Sequence, residues 1–246
     1  MTDLLPGTAR RFDVLLTSAQ RNGKLPSIVA GVVRDGGLAW TGAAGDVAGD
    51  AADTQYRIGS ITKTFTSVLV LQARNEGLVS LDDTLGTHVP EAPFPDRTLR
   101  SLLSHSSGVP GEPAGPWWER GEGGDFAALA AATASATAPR ANGQEFGYSN
   151  LAFGLLGEVI SRVRGAEWWS LVQARILQPL GMERTTYRAA APHAQGWSVS
   201  HLFNTLTAEP LSDTGAMAPA GQLWSTLEDL TRYAGFILAG HPDVLP

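Results

Sequence analysis

The sequence predicts a mixed α/β fold of the α+β kind, an antiparallel sheet with flanking helices beside a helical region. Three observations predict it. Two β-type runs flank Asp35-Gly36-Gly37 near the start of the chain, and Asp-Gly between such runs is a strong hairpin signal. From about residue 60 onward, apolar residues recur at helical rather than strand spacing. The composition, 43% hydrophobic and 17% charged over 246 residues, is that of a chain with a sizeable core.

Each element has its own signal. Residues 8–22 read as an amphipathic helix, with Phe12, Leu15, Leu16 and Ala19 on one face and Gly23 as its stop. Ser27–Arg34 and 38–45 are the strands of the hairpin, and 45–54, rich in Gly, Ala and Asp, is a loop. Residues 60–75 are helical, ending near Gly77. Their apolar residues (Ile61, Phe65, Val68, Leu69, Val70, Leu71) wrap more than one face, which places the helix inside the protein.

Ser80-Leu81-Asp82-Asp83 caps a short helix that stops before Pro90. Residues 97–103 form another short helix, closed by His105-Ser106-Ser107-Gly108-Val109-Pro110. Residues 111–124 are a glycine-rich loop carrying Trp117-Trp118. Loops this long are often functional, and the two indoles either line a pocket or pack back onto the domain. Helices follow at 126–136, 151–164 (with Gly165 behind it) and 168–177, the last ending at Pro179-Leu180-Gly181. Residues 187–210 read as irregular. Ser225-Thr226-Leu227-Glu228 is a capping box that opens a helix to Ala239. A two-stranded sheet is marginal alone. Either the first and last helices cover it or further strands belong to it.

Charge and composition exclude several functions. A net charge of −6 with no basic block argues against nucleic acid as a partner. With no cysteine there is no disulfide, thiolate metal site or cysteine nucleophile. His88, His193, His201 and His241 lack metal-ligand spacing, so neither metal nor cofactor is expected. No apolar run is long enough to span a bilayer, and residues 1–11 carry no signal-peptide pattern, so the expected location is cytoplasmic without membrane contact. Arg184 and Arg188 are either a carboxylate-binding pair or solvated surface residues.

The chemistry concentrates at Ser60 and Lys63. On a helix, residues three apart share a face, so Oγ and Nζ can meet. A lone S-x-x-K also fits an N-cap serine followed by a solvated lysine. The composition favours the chemical reading. Of eighteen basic residues only Lys24 and Lys63 are lysines. Arginine cannot release its proton, whereas a desolvated lysine can. A cation early in a helix also opposes the dipole, which favours a neutral amine and a developing anion. A neutral Lys63 would take the Ser60 proton, and helix N-terminal N–H groups would hold an oxyanion.

Several stretches together resemble the serine β-lactamase and penicillin-binding protein superfamily, in particular its class C β-lactamase and esterase branch. They are Ile58-Gly59-Ser60-Ile61-Thr62-Lys63, Leu102-Leu103-Ser104-His105-Ser106-Ser107-Gly108-Val109-Pro110, Phe146-Gly147-Tyr148-Ser149-Asn150-Leu151, Gly154-Leu155-Leu156-Gly157, Pro179-Leu180-Gly181-Met182, Gly221-Gln222-Leu223-Trp224-Ser225-Thr226 and Asp229-Leu230. The likeness covers roughly residues 8 to 240.

The resemblance implies a β-lactamase/transpeptidase-like fold. It also implies Ser60 as the acyl-accepting nucleophile, Lys63 as its proton partner, Tyr148 as general base or proton relay, and Asn150 as a hydrogen-bonding partner of substrate and Lys63. Tyrosine, with a reference pKa of about 10, serves as a base only beside a cation, which Lys63 supplies. His105 is expected to be structural, its ring bonded to backbone. The substrate would be a small ester, amide or β-lactam. The family's third motif, His or Lys, a residue, then Gly on a strand, is missing. His241-Pro242-Asp243 does not fit it.

The expectation is therefore one domain over residues 1–246. Residues 1–59 and about 206–246 form its sheet side, and about 60–205 its mainly helical part. It is expected to lack C-terminal strands, either as a fragment or as a chain that another copy in an oligomer completes.

Overall fold

The computed structural model describes residues 4–200, 202–203 and 205–246. Helix α1 (Pro6–Gly23) packs on a hairpin of β1 (Ser27–Arg34) and β2 (Gly37–Gly45), paired from Ser27 opposite Gly45 to Arg34 opposite Gly37. Asp35 and Gly36 form the turn, both at positive φ (52° and 78°), as a two-residue hairpin requires. Trp40 Nε1 donates to Asp13 Oδ1 (3.1 Å), and the Phe12 ring lies 5.2 Å from that of Trp40. Of the apolar face predicted for α1 only Leu16 is buried, while Leu15 and Ala19 are exposed. The left-handed stop falls on Lys24 rather than Gly23. Two strands offer the helix a narrow surface, and neither strand has a buried residue.

The core lies on the helical side. After β3 (Tyr56–Arg57), a 3₁₀ turn (Gly59–Ile61) leads into α2 (Thr62–Asn75), enclosed on most sides, with Phe65, Leu69 and Val70 out of reach of solvent. Ser80 and Asp83 close a turn on themselves instead of capping a helix. Asp83 Oδ2 accepts from Ser80 N (2.8 Å), and Thr84 precedes α3 (Leu85–His88). Helix α4 (Leu99–Leu103) is capped by Thr98. Helix α5 (Phe126–Thr133), capped by Asp125, ends three residues early, since it buries only Leu129 and Thr133.

Helix α6 (Asn150–Arg164) runs from a Ser149 cap to Gly165 at φ 63° and packs on α2. The helix expected over 168–177 is α7 (Trp168–Val172), a π-helical turn (Gln173–Leu177) and α8 (Gln178–Leu180).

Residues 187–210, expected to be irregular, contain a second hairpin of β4 (Trp197–Ser200) and β5 (Thr205–Ala208). Helix α9 (Ala218–Gly221) precedes β6 (Trp224–Ser225), which pairs with β3, and α10 (Leu227–Ala239) follows. Thr226 rather than Ser225 caps α10, accepting from Asp229 N (3.2 Å), while Ser225 Oγ meets Thr185 Oγ1 (2.8 Å). Helices α1 and α10 both pack on the β1–β2 hairpin, the first of the two arrangements expected for it. Tyr233 of α10 stacks on Phe65 at 4.1 Å.

Glycines on α6 set its distance from α9. A Cβ at Gly157 would lie 2.1 Å from Pro219 Cγ, and one at Gly154 would lie 2.9 Å from Met217 Sδ. Thr66 Oγ1 of α2 donates to Pro219 O (2.9 Å), so α9 is held from both sides. Overpacking of this kind costs about 1–3 kcal/mol. Gly157→Ala should lower stability by that amount in urea titrations, whereas Gly235→Ala, where a Cβ meets nothing within 4 Å, should not.

Candidate active site

Ser60 sits on the exposed 3₁₀ turn and Lys63 in the first turn of α2, almost wholly buried at 5% exposure. Gly59 turns the chain there at φ 50°. One helical turn separates the two side chains, and Lys63 Nζ donates to Ser60 Oγ at 3.0 Å. Nζ donates also to Asn150 Oδ1 (2.6 Å) and Ala220 O (2.7 Å). Three acceptors therefore surround a nitrogen that carries three protons as ammonium. As neutral amine it keeps two donors for Asn150 and Ala220, and its lone pair faces the serine hydroxyl.

Tyr148 brings a second proton carrier. Its Oη donates to Ser60 Oγ at 2.8 Å, and Nζ lies 5.0 Å from its ring centre. The ring is braced from behind by His105, stacked at 4.4 Å. His105 adopts φ 56°, and its Nδ1 accepts from Ser149 N (3.1 Å), the backbone contact expected of it. That contact requires an unprotonated Nδ1. Burial, and then the charge of Lys63, hold the His105 pKa below its ordinary value.

All four residues singled out in the sequence, Ser60, Lys63, Tyr148 and Asn150, thus converge on one point. Two partners carried no local sequence signal. The Ala220 carbonyl belongs to the end of a four-residue helix, where carbonyls lack intrahelical partners. Glu112 accepts from Asn150 Nδ2 with Oε1 (2.7 Å) and from Trp118 Nε1 with Oε2 (2.7 Å). Its only signal was membership of a long loop.

The loop's two tryptophans divide the expected roles. Trp118 packs on the core. Trp117 is exposed and lines a cavity of about 370 Å³ with Tyr56, Arg57 and Glu119. Arg57 is half-buried there, with Nε donating to Gly221 O (3.2 Å) and its pKa lowered by desolvation. Arg184 and Arg188 do not act as a pair, for each has its own carboxylate, Asp53 and Asp213, and Arg188 is the solvated surface residue expected while Arg184 is half-buried.

None of the six described strands carries a His-x-Gly or Lys-x-Gly sequence. His241 closes a small turn onto Leu245. No cluster among the described residues could hold a metal, and His201 lies outside them. No described helix is long and apolar enough to cross a membrane.

Residues 12–245 match the family model described as Beta-lactamase. A D-alanyl-D-alanine-carboxypeptidase/endopeptidase, AmpH of Escherichia coli K12, is 30% identical over 74% of this chain and 48% of its own. A D-stereospecific amidohydrolase from Streptomyces superposes with a TM-score of 0.82 at 30% identity, covering 97% of this chain and 74% of that one. An octameric penicillin-binding protein homologue from Pyrococcus abyssi gives 0.81 at 25% identity, over 98% and 58%. The chain spans about half the length of the curated relatives it matches.

The His105 geometry has a pH consequence. A depressed folded-state pKa means that the unfolded chain binds the proton first. Stability from the neutral ring is therefore full above the unfolded value of about 6.5 and is lost as pH falls through the lower folded value. His105→Asn keeps an acceptor and tolerates positive φ. In thermal melts from pH 7.5 downward, the wild type should lose more stability than this variant over that window.

Proposed function

Because this chain belongs to the beta-lactamase family, we propose that it is a serine hydrolase that forms an acyl-enzyme on Ser60. The observation that carries the reading is the meeting of Lys63 Nζ and Tyr148 Oη at Ser60 Oγ, with the lysine buried and the serine exposed. Oγ attacks the substrate carbonyl while its proton passes to Nζ. Asn150 and Ala220 hold the resulting ammonium. Tyr148, which faces both Oγ and solvent, hands its proton to the leaving group. Water then cleaves the ester, and the same groups return the protons. In this reading Asn150 also hydrogen-bonds a polar group of the substrate.

The substrate in this reading is a small ester, amide or β-lactam. The family, the E. coli carboxypeptidase and the Streptomyces amidohydrolase support that class. The same proposal has the chain as one domain with a sheet side and a helical side, working in the cytoplasm without a cofactor. The octameric homologue supports assembly with further copies.

A second reading, a binding fragment that acylates without turning over, is favoured by one observation. No described strand carries the third motif beside Ser60. One missing oxyanion donor costs about 10²–10³ in rate.

Incubation with a chromogenic ester and a chromogenic cephalosporin, followed by intact mass spectrometry, separates the two readings. The hydrolase gives turnover with an adduct on Ser60. The fragment gives the adduct alone. Neither turnover nor adduct rejects both. Tyr148→Phe and Lys63→Arg should each slow adduct formation by about 10²–10⁴, the usual worth of acid–base assistance, and Tyr148→Phe should do so with a melting temperature near that of the wild type.

A further inference from the structure

We propose that Glu112 is a positioning residue for the Ser60 centre, fixing the Asn150 amide in the one orientation that offers Lys63 an oxygen. The inference rests on the reading of Ser60 as nucleophile.

An asparagine amide has two ends of nearly equal shape, one accepting and one donating. Lys63 Nζ only donates to it, so Oδ1 must face the lysine, at 2.6 Å. Nδ2 then points outward, to Glu112 Oε1 at 2.7 Å. Turning the amide over would set Nδ2 against the Nζ–H that donates to it and Oδ1 against the carboxylate, which is repulsive at both ends. The carboxylate thereby selects the orientation without touching Ser60, Lys63 or Tyr148.

Only glutamate satisfies the geometry in full. Its other oxygen accepts from Trp118 Nε1 at 2.7 Å. Two donors therefore converge on one side chain, and an ionised carboxylate presents an acceptor to each. Glutamine presents one acceptor and one donor, so it meets either Asn150 or Trp118 but not both.

The backbone fixes the clamp in place. Gly111 O accepts from Asn150 N (2.7 Å) and Leu151 N (3.4 Å), which fastens the residue before Glu112 to the start of α6. Trp118 lies against Gly221, where a Cβ would come within 3.1 Å of its ring. Gly221 follows Ala220, whose carbonyl is another acceptor of Lys63. The 111–124 loop is thus tied to both elements that hold the lysine.

The test is the rate of Ser60 adduct formation with a chromogenic ester, measured as kcat and KM. Glu112→Ala should lower kcat about 10–100-fold, the worth of one charge-assisted hydrogen bond, with KM little changed. Glu112→Gln should lose less, and in a Trp118→Phe background it should cost almost nothing, because glutamine is then free to turn its oxygen to Asn150. In an Asn150→Ala background the Glu112→Ala loss should vanish. An equal loss there would mean that Glu112 merely folds the loop, and would overturn the proposal.

A readout independent of turnover is the side-chain ¹⁵NH₂ resonance of Asn150. It should shift in Glu112→Ala, and an unchanged resonance overturns the proposal. A wild type that forms no adduct rejects the hydrolase reading, and the resonance still decides this one.

Discussion

A lysine nitrogen inside a protein must be surrounded by acceptors or lose its charge, and the region around Ser60 is arranged to meet that demand. Lys63 finds its acceptors on three separate segments. One is its own helix start, one is the first residue of α6, and one is the end of α9. The position opposes the dipole of α2, where a cation is disfavoured. It suits α9, whose last carbonyls are free and electronegative. Arg57 uses the next carbonyl of the same short helix, that of Gly221. The Lys63 and Arg57 side chains thus terminate α9 in place of a conventional cap, and the serine lies beside the lysine.

That arrangement explains features of the packing that otherwise look unrelated. Ala220 O reaches Nζ only if α9 presses close to α6, and Gly154 and Gly157 make the close approach possible. Thr66 Oγ1 on α2 binds Pro219 O, and Thr62 Oγ1 accepts from Leu223 N, so α9 is registered on α2 above and below the lysine. Trp168 Nε1 donates to the same Thr66 hydroxyl, which joins α7 to the set. Side-chain hydroxyls at successive turns of α2 therefore do the aligning, while the apolar residues between them supply the burial.

The long periodic elements were legible because one property decides each of them. The α6 stripe, with a serine before it and a glycine after it, gave its bounds to within a residue. The Asp-Gly turn gave the first hairpin. Errors gathered where two local choices compete. Ser225 and Thr226 are both good caps. The structure uses the second because Thr185 occupies the hydroxyl of the first, a contact across forty residues that no local pattern encodes. The β4–β5 hairpin escaped because its strands are only four residues long, too short for their alternation to stand out, and β5 is exposed on both faces. Of the site, the residues with unusual chemistry were visible: one of only two lysines and its serine. Ala220 contributes a backbone oxygen, which has no identity in sequence. Glu112 is one of many loop acids until Asn150 Nδ2 is seen beside it.

The distribution of burial separates the site from the sheet. The β1–β2 hairpin contains no buried residue and is held by faces of α1 and α10. Every group that touches Ser60, Lys63 or Asn150 through its side chain comes instead from the helical side or the loop packed on it. The proton-transfer geometry is therefore supported by a dense core, while the β1–β2 hairpin contributes no side chain to it. The two halves of an acyl-transfer site have different requirements. Making a nucleophile needs only the lysine, the tyrosine and their hydrogen-bond partners, which come from α2, α6, α9 and the non-helical segment that carries Tyr148. Stabilising the oxyanion needs backbone donors placed opposite the attacking oxygen, and a strand edge is a natural source of them. On the proposed reading, nucleophile activation at Ser60 would therefore rest on the side chains of Lys63 and Tyr148, which meet Oγ away from the β1–β2 hairpin.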